Sequence, residues 1–179
     1  MCIRDSLYAL PLNGVPFLGA PFNCYNGIPT TSAGHDWDDD ASATPGILGR
    51  PVPFAEIVDG LSNTLLVSET VQGQGSDLRG FTWWGSVSGF VTYMSPNSSE
   101  PDVLTGGNCE SLVNGNPPCT TMSTLTRPRV MAARSRHPGG VNAAFADGHV
   151  AFIKDAISTT VWSALSTTMG GEVINDSDL

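Results

Sequence analysis

The chain has 179 residues, enough for one domain that buries roughly two-thirds of the surface its unfolded form exposes. Hydrophobic residues make up 40% and charged residues 14%, with 20 Gly and 13 Pro, which excludes a disordered chain and points to a loop-rich, β-leaning fold. Lys and Arg number 8 against 17 Asp and Glu, a net charge of −9 that argues against a nucleic-acid partner, because affinity for phosphate backbones comes from Lys and Arg.

No apolar run reaches the ~18 residues of a membrane-spanning helix. Met1-Cys2-Ile3-Arg4-Asp5-Ser6 lacks the basic and apolar regions of a signal peptide. It resembles translated adaptor sequence, so residues 1–6 are set aside as non-native and the natural chain is expected to begin further upstream. Residues 7–179 are read as a single globular domain.

From Leu7 to Gly49 the breakers Pro11, Pro16, Pro21, Pro29 and Pro45 leave no room for a helix of three turns, and short extended pieces joined by turns are expected. Within this region His35-Asp36-Trp37-Asp38-Asp39-Asp40 is the densest charge cluster. Asp36, Asp38 and Asp39 are candidate ligands for Ca²⁺, which takes oxygen donors from flexible loops, but the spacing lacks the Gly and distal Glu of an EF-hand. A solvated acidic turn is the plainer reading, and no cofactor is expected.

Phe54 to Asp59 allows one or two helical turns ended by Gly60. Asn63 to Thr70 has an apolar centre between polar ends and reads as a buried strand, with Glu69 at its exit either a catalytic carboxylate or the last solvated residue. The Gly-rich loop from Gln72 to Asp77 lacks the Lys and following helix that a phosphate cradle needs. Trp83 and Trp84 lie in an extended aromatic stretch and must face opposite ways.

Residues 95–128 form a long polar insert. Cys109 and Cys119 flank an Asn-Gly-Asn-Pro-Pro turn within it, and a disulfide between them would staple the insert and require an oxidising compartment. The spacing matches no zinc pattern.

Residues 134–153 carry a hairpin. Two apolar runs, Val141–Ala146 and His149–Ile153, are separated by Asp147-Gly148, the signature of a type I′ turn. Pro138-Gly139-Gly140 bends the chain ahead of it, and His137 stands ten positions before Asp147. Both residues are read first as turn residues. The alternative is a general base in which Asp147 orients His137, with Ser135 as nucleophile, or a metal site formed by His137, Asp147 and His149. After the hairpin, Ser158-Thr159-Thr160 is a candidate N-cap, Val161, Trp162, Leu165 and Met169 recur at helical spacing, and Gly170-Gly171 stops the run. Trp162 should sit in the core.

Several ordered pieces together resemble a bacterial prepilin-like family of unknown function that carries the "H-X9-DG" C-terminal processing-associated motif. They are Asp59-Gly60-Leu61-Ser62-Asn63-Thr64 with Glu69, then Asp77-Leu78-Arg79-Gly80 followed by Trp83-Trp84-Gly85. His137-Pro138-Gly139-Gly140 with Asn142, Asp147-Gly148, and Trp162 with Gly171-Glu172 complete the set. Leu61 departs from the Thr usual in the family. The resemblance implies an envelope or secreted protein anchored by an N-terminal helix that this stretch does not contain, with pilin-like subunits or envelope proteins as partners, as in type IV pilus or type II secretion-like assemblies. It carries over no catalytic residue.

The expected fold is α+β and β-rich: an antiparallel sheet with long loops and one C-terminal helix packed on it, in the manner of a pilin-like globular head. The expected function is structural or interactive rather than enzymatic. The competing reading is a metal-dependent hydrolase or Ca²⁺-dependent binding module centred on His137, Asp147 and His149.

Overall fold

The computed structural model describes residues 53–81, 89–104, 108–122 and 130–175. Asp36, Asp38, Asp39, Cys24, Trp83 and Trp84, and with them the acidic-cluster and paired-Trp expectations, lie outside the described residues.

Single 3-10 turns at Phe54–Glu56 and Leu61–Asn63 lead into strand β1 (Leu65–Ser68). Two short strands follow, β2 (Asp102–Val103) and β3 (Cys119–Thr120), then the hairpin strands β4 (Gly140–Phe145) and β5 (Val150–Lys154), and the helix α1 (Thr159–Ala164). The main sheet has the order β1-β4-β5, antiparallel throughout, while β2 and β3 form a separate parallel pair. This is the β-rich α+β arrangement that the sequence predicts. No helix among the described residues is long and apolar enough to cross a membrane.

Period-two alternation decides which way β4 faces. Val141, Ala143 and Phe145 are buried, whereas Asn142 and Ala144 point to the other side and are half-buried. The buried face meets Leu65 of β1, Ile153 of β5, and Phe90, Ile157, Trp162 and Leu165 in one apolar cluster. Trp162 is the largest fully buried side chain among the described residues; it stacks on Phe90 at 5.9 Å between ring centroids and donates its indole N–H to the Met94 carbonyl at 2.9 Å. That donation satisfies the one polar atom of an otherwise apolar residue.

Helix α1 is shorter than the apolar periodicity implies. It ends at Ala164, and Met169 is 48% exposed rather than packed. Ser158 stands at the N-cap without a side-chain cap bond. Thr167, Thr168, Gly170 and Gly171 instead turn back onto Asp59, whose carboxylate accepts the Gly170 and Gly171 N–H groups at 2.7 Å each and the Thr167 hydroxyl at 3.0 Å. The Asn63 side chain donates to the Asp59 carbonyl, and Thr64 Oγ1 donates to the carbonyls of Gly60 and Thr167. The Asp-Gly-Leu-Ser-Asn-Thr stretch is thus a polar clasp on the C-terminal turn, with Ser62 exposed beside it.

The hairpin forms where expected, but its turn differs. A type I′ turn requires positive φ at Asp147 and Gly148, yet Asn97 is the one non-glycine residue with positive φ among those described. Gly148 N–H bonds the Phe145 carbonyl at 2.9 Å and Phe145 N–H bonds the His149 carbonyl at 3.0 Å, closing a three-residue loop in which Gly148 alone takes positive φ, at 92°. Asp147 adopts an ordinary backbone and turns its carboxylate to the His149 N–H at 3.0 Å.

The insert at 95–128 is not a purely surface loop. Cys109 and Cys119 form the expected disulfide. Asp102, Val103 and Leu104 are buried, and Val103 N–H bonds the Val130 carbonyl at 2.8 Å. Asp102, 1% exposed, lies between two buried guanidinium groups: Arg79 Nη1 at 2.8 Å and Arg134 Nη2 at 2.8 Å, with Arg134 Nε 3.0–3.1 Å from both carboxylate oxygens. Asp77, fully buried, grips Arg79 from the other side at 2.6 Å. Arg79 also donates to the carbonyls of Pro117 and Pro118, and Arg134 to those of Ser98 and Glu100. Burial opposes the charge on Arg79, but bonds to Asp77 and Asp102 outweigh it and raise its pKa, so the guanidinium stays charged.

Two predictions follow from these contacts. Asp102→Ala leaves two guanidinium groups buried without their shared anion and is expected to cost about 3–5 kcal/mol in urea unfolding, whereas a loss under about 1 kcal/mol would reduce the network to a surface-like one. At the hairpin, Gly148→Ala is expected to cost about 1–2 kcal/mol through backbone conformation alone, since nothing lies within 4 Å of the added methyl. Gly148→Asn should recover part of that loss because Asn tolerates positive φ; equal losses for the two variants would count against this account.

Candidate functional site

Strand β4 holds the motif residues at its two ends, and each end is tied to a flank of β1. At the first end, Glu69 leaves β1 and accepts the Asn142 backbone N–H at 2.8 Å and its side-chain amide at 3.2 Å. His137 Nε2 completes the group, 3.1 Å from Glu69 Oε1. The Arg134 N–H bonds the Glu69 carbonyl at 2.8 Å, which ties the segment before His137 to the same strand exit.

Ser135 is not poised as a nucleophile. Its hydroxyl donates to the Gly140 carbonyl at 2.7 Å and accepts the His137 N–H at 3.0 Å, bridging the Pro138-Gly139 bend. Asn97, at φ 51°, braces the bend from outside: it accepts the Ser135 N–H at 2.8 Å and donates to Asp155 at 2.8 Å and to the Gly140 carbonyl at 3.2 Å. A Cβ at Gly140 would strike the Ile153 carbonyl and the Phe152 ring, so the close β4–β5 approach requires glycine there. Pro138 and Gly139 are exposed at the tip.

At the other end, Asp147 is paired with His149, not with His137. His149 Nδ1 lies 2.6 Å from Asp147 Oδ1, and the imidazole stacks on Phe145 at 4.4 Å. The Asp147 N–H bonds the Leu61 carbonyl at 3.2 Å, and the Ala146 N–H bonds that of Thr64 at 2.9 Å. His137 sits beside Asn142 and Phe152, whereas Asp147 lies past Phe145, and at about 3.3 Å per residue the intervening strand keeps them roughly 10 Å or more apart. The two therefore cannot form a general-base pair, and His137, Asp147 and His149 cannot share a metal ion. Among the described residues no three His, Cys, Asp or Glu side chains converge as a metal site.

Beside His137 the surface opens into a cleft of about 450 Å³. Its walls include Asn97 and Ser98 on one side, Asn116 and Pro117 of the stapled loop on another, and Arg136 and His137 at the rim. Arg136 reaches across to the Gly115 carbonyl at 3.2 Å.

Glu69 is more than the last solvated residue of its strand: its carboxylate anchors the bend. Its partners lie 68 and 73 positions away, and no local pattern announces them. Partial burial pushes the Glu69 carboxyl up, but the hydrogen bonds from Asn142, with His137 beside them, outweigh burial and hold it below its ordinary 4.5. At the far end the backbone and side-chain hydrogen bonds from His149 likewise hold the Asp147 carboxyl low.

A carboxylate whose folded-state pKa is depressed contributes stability that is present above its unfolded pKa and is lost as pH falls through the folded value. Glu69→Gln is therefore expected to lower the melting temperature at pH 7 and to flatten its decline between about pH 5 and pH 3. His137→Ala should cost under about 1 kcal/mol, because His137 is 53% exposed at its side chain and the pair is screened by solvent. Parallel acid-unfolding curves for the parent and Glu69→Gln would remove Glu69 from the acid response.

Residues 18–160 match the family described as a protein of unknown function (DUF1559). No curated protein matches the chain, and no solved structure does.

Proposed function

Because the chain belongs to the DUF1559 family of proteins of unknown function, we propose that it is a structural or interaction domain of a prepilin-like envelope or secreted protein, without enzymatic activity or a resident cofactor. The observation that carries this reading is the use made of the motif side chains. The side chains of Glu69, Ser135 and Asp147 bond to backbone and that of Asn142 to Glu69, so each closes a turn or joins two strands rather than facing a reacting group. The hydroxyl, imidazole and carboxylate of the nucleophile–base alternative, on Ser135, His137 and Asp147, are distributed over both ends of β4.

The Cys109–Cys119 disulfide supports an oxidising location, since reducing compartments keep such thiols open. The prepilin relationship rests on the ordered resemblance of the Asp59–Thr64, His137–Asn142 and Asp147-Gly148 pieces. Its partners would be other pilin-like subunits or envelope proteins, with membrane attachment through a helix upstream of this stretch.

The test has two parts. The gene upstream of Leu7 is expected to encode a short basic leader and an apolar helix of about 20 residues. Protein recovered from its native cells should fractionate with the envelope or medium, with Cys109 and Cys119 inaccessible to alkylation before reduction. A cytoplasmic protein with free thiols at both positions would overturn the proposal.

A further inference from the structure

Of the described asparagines, Asn114 alone precedes a glycine. It stands at the second position of a tight turn, Val113 to Asn116, closed by the Asn116 N–H on the Val113 carbonyl at 3.1 Å. Gly115 takes the third position at φ 94°, where a residue with a side chain would be strained. Asn114 and Gly115 are both exposed. Among the described residues nothing holds the Asn114 side chain, and nothing accepts the Gly115 N–H. Asparagine is thermolabile, and a free side-chain amide beside an unbonded, unhindered backbone nitrogen is its reactive form.

The other asparagines show what protection requires. Each hydrogen bond that must break before the side chain can turn slows a reaction by roughly fivefold. Asn97 makes three such bonds, to Ser135, Gly140 and Asp155. Asn142 lies within β4 and donates to Glu69, and Asn63 donates to the Asp59 carbonyl. Asn116 is bonded to Gln74 and Glu110 and precedes Pro117, which has no N–H to react.

We propose that Asn114 is a self-modifying site that converts to aspartate and isoaspartate through a cyclic imide. The Gly115 nitrogen loses its proton to solvent and attacks Cγ of Asn114. A bond forms between that nitrogen and Cγ, the bond from Cγ to the side-chain nitrogen breaks, and ammonia leaves carrying a proton from solvent. Water then opens the imide at either carbonyl. Opening at Cγ leaves an aspartate; opening at the main-chain carbonyl leaves an isoaspartate, with the backbone running through the former side chain. Arg136 ties this chemistry to the fold. Its Nη2 donates to the Gly115 carbonyl at 3.2 Å, and a Cβ on Gly115 would lie 3.6 and 3.7 Å from Nη2 and Nη1. A cation there favours loss of the Gly115 amide proton and then stabilises the new carboxylate. The longer backbone of the isoaspartate moves the Gly115 carbonyl, so modification breaks the bridge that Arg136 makes across the cleft. The proposal does not rest on the prepilin reading.

The test incubates the whole chain, its disulfide intact, near neutral pH and at physiological temperature, beside a synthetic peptide of residues 110–118. Peptide mapping by mass spectrometry reads the exchange of amide NH2 for OH at each asparagine, and an isoaspartyl methyltransferase labels the isoaspartate. Asn114 is expected to convert within roughly tenfold of the peptide rate, because a single turn bond restrains it, while Asn97 and Asn142 stay intact. Asn114→Gln, whose side chain closes a larger and slower-forming ring, should abolish labelling at this position. Arg136→Gln should slow conversion by roughly threefold. Asn114 outlasting Asn97, or converting more than about a hundredfold more slowly than the peptide, overturns the proposal. An unchanged rate in Arg136→Gln overturns the part assigned to Arg136.

Discussion

The carboxylate of Asp102 is the interaction on which the rest of the described structure depends. It lies in a two-residue strand within a polar insert, yet it is the shared anion of two guanidinium groups that arrive from distant segments. Arg79 brings the Gly-rich loop and, through the Pro117 and Pro118 carbonyls, the disulfide-closed loop. Arg134 brings the extended segment that precedes the hairpin. Asp102 also accepts the Ala132 N–H at 3.1 Å, so the same carboxylate fixes the backbone of that segment. Four chain segments meet at one ion.

A buried ion group is a weak source of net stability, because desolvation of each charge offsets most of the attraction. Its value here lies in what it specifies. Among the described residues the apolar core is divided: one cluster packs around Trp162 and the hairpin, a second gathers Val91, Met94, Val103, Val130 and Ala132, and a small third holds Leu104 and Met131. The extended stretch Val130–Ala133 contributes to all three, because successive side chains point to opposite faces. Apolar contacts alone are non-directional and would tolerate that stretch sliding by two residues. Asp102 and Arg134 do not tolerate it: a shift would strand a buried guanidinium away from its partners.

The sequence was legible where a pattern is local. The hairpin strands, the buried Trp162, the strand at Leu65–Ser68 and the Cys109–Cys119 bridge each follow from residues close together in the chain. The turn was misread because Asp-Gly supports more than one loop geometry, and the observed one places positive φ at Gly148 alone. The helix was overextended because Met169 fits the period, whereas Asp59, across 111 positions, captures the Gly170 N–H and folds that segment back. The alternative reading set His137 against Asp147 on spacing, whereas Glu69 is its partner. The helix end and the partner of His137 were both set by long-range polar contacts. Hydrogen bonds between distant polar residues leave no periodic trace, whereas apolar faces do.

The interval between His137 and Asp147 acquires a physical meaning from the strand pairing. β1 opposes β4 with Leu65 against Phe145 and Ser68 against Ala143. The residues flanking β1 therefore fall beside the ends of β4: Leu61 and Thr64 receive the N–H groups of Asp147 and Ala146, and Glu69 receives that of Asn142. The distance from the bend to the hairpin turn is thus matched to the length of β1 with its two flanks. One residue added to β4 would turn Val141, Ala143 and Phe145 out of the core or pull one end off its anchor. In this chain the interval measures the span of a strand held at both ends. That function needs neither residue to touch the other, nor either to touch a substrate.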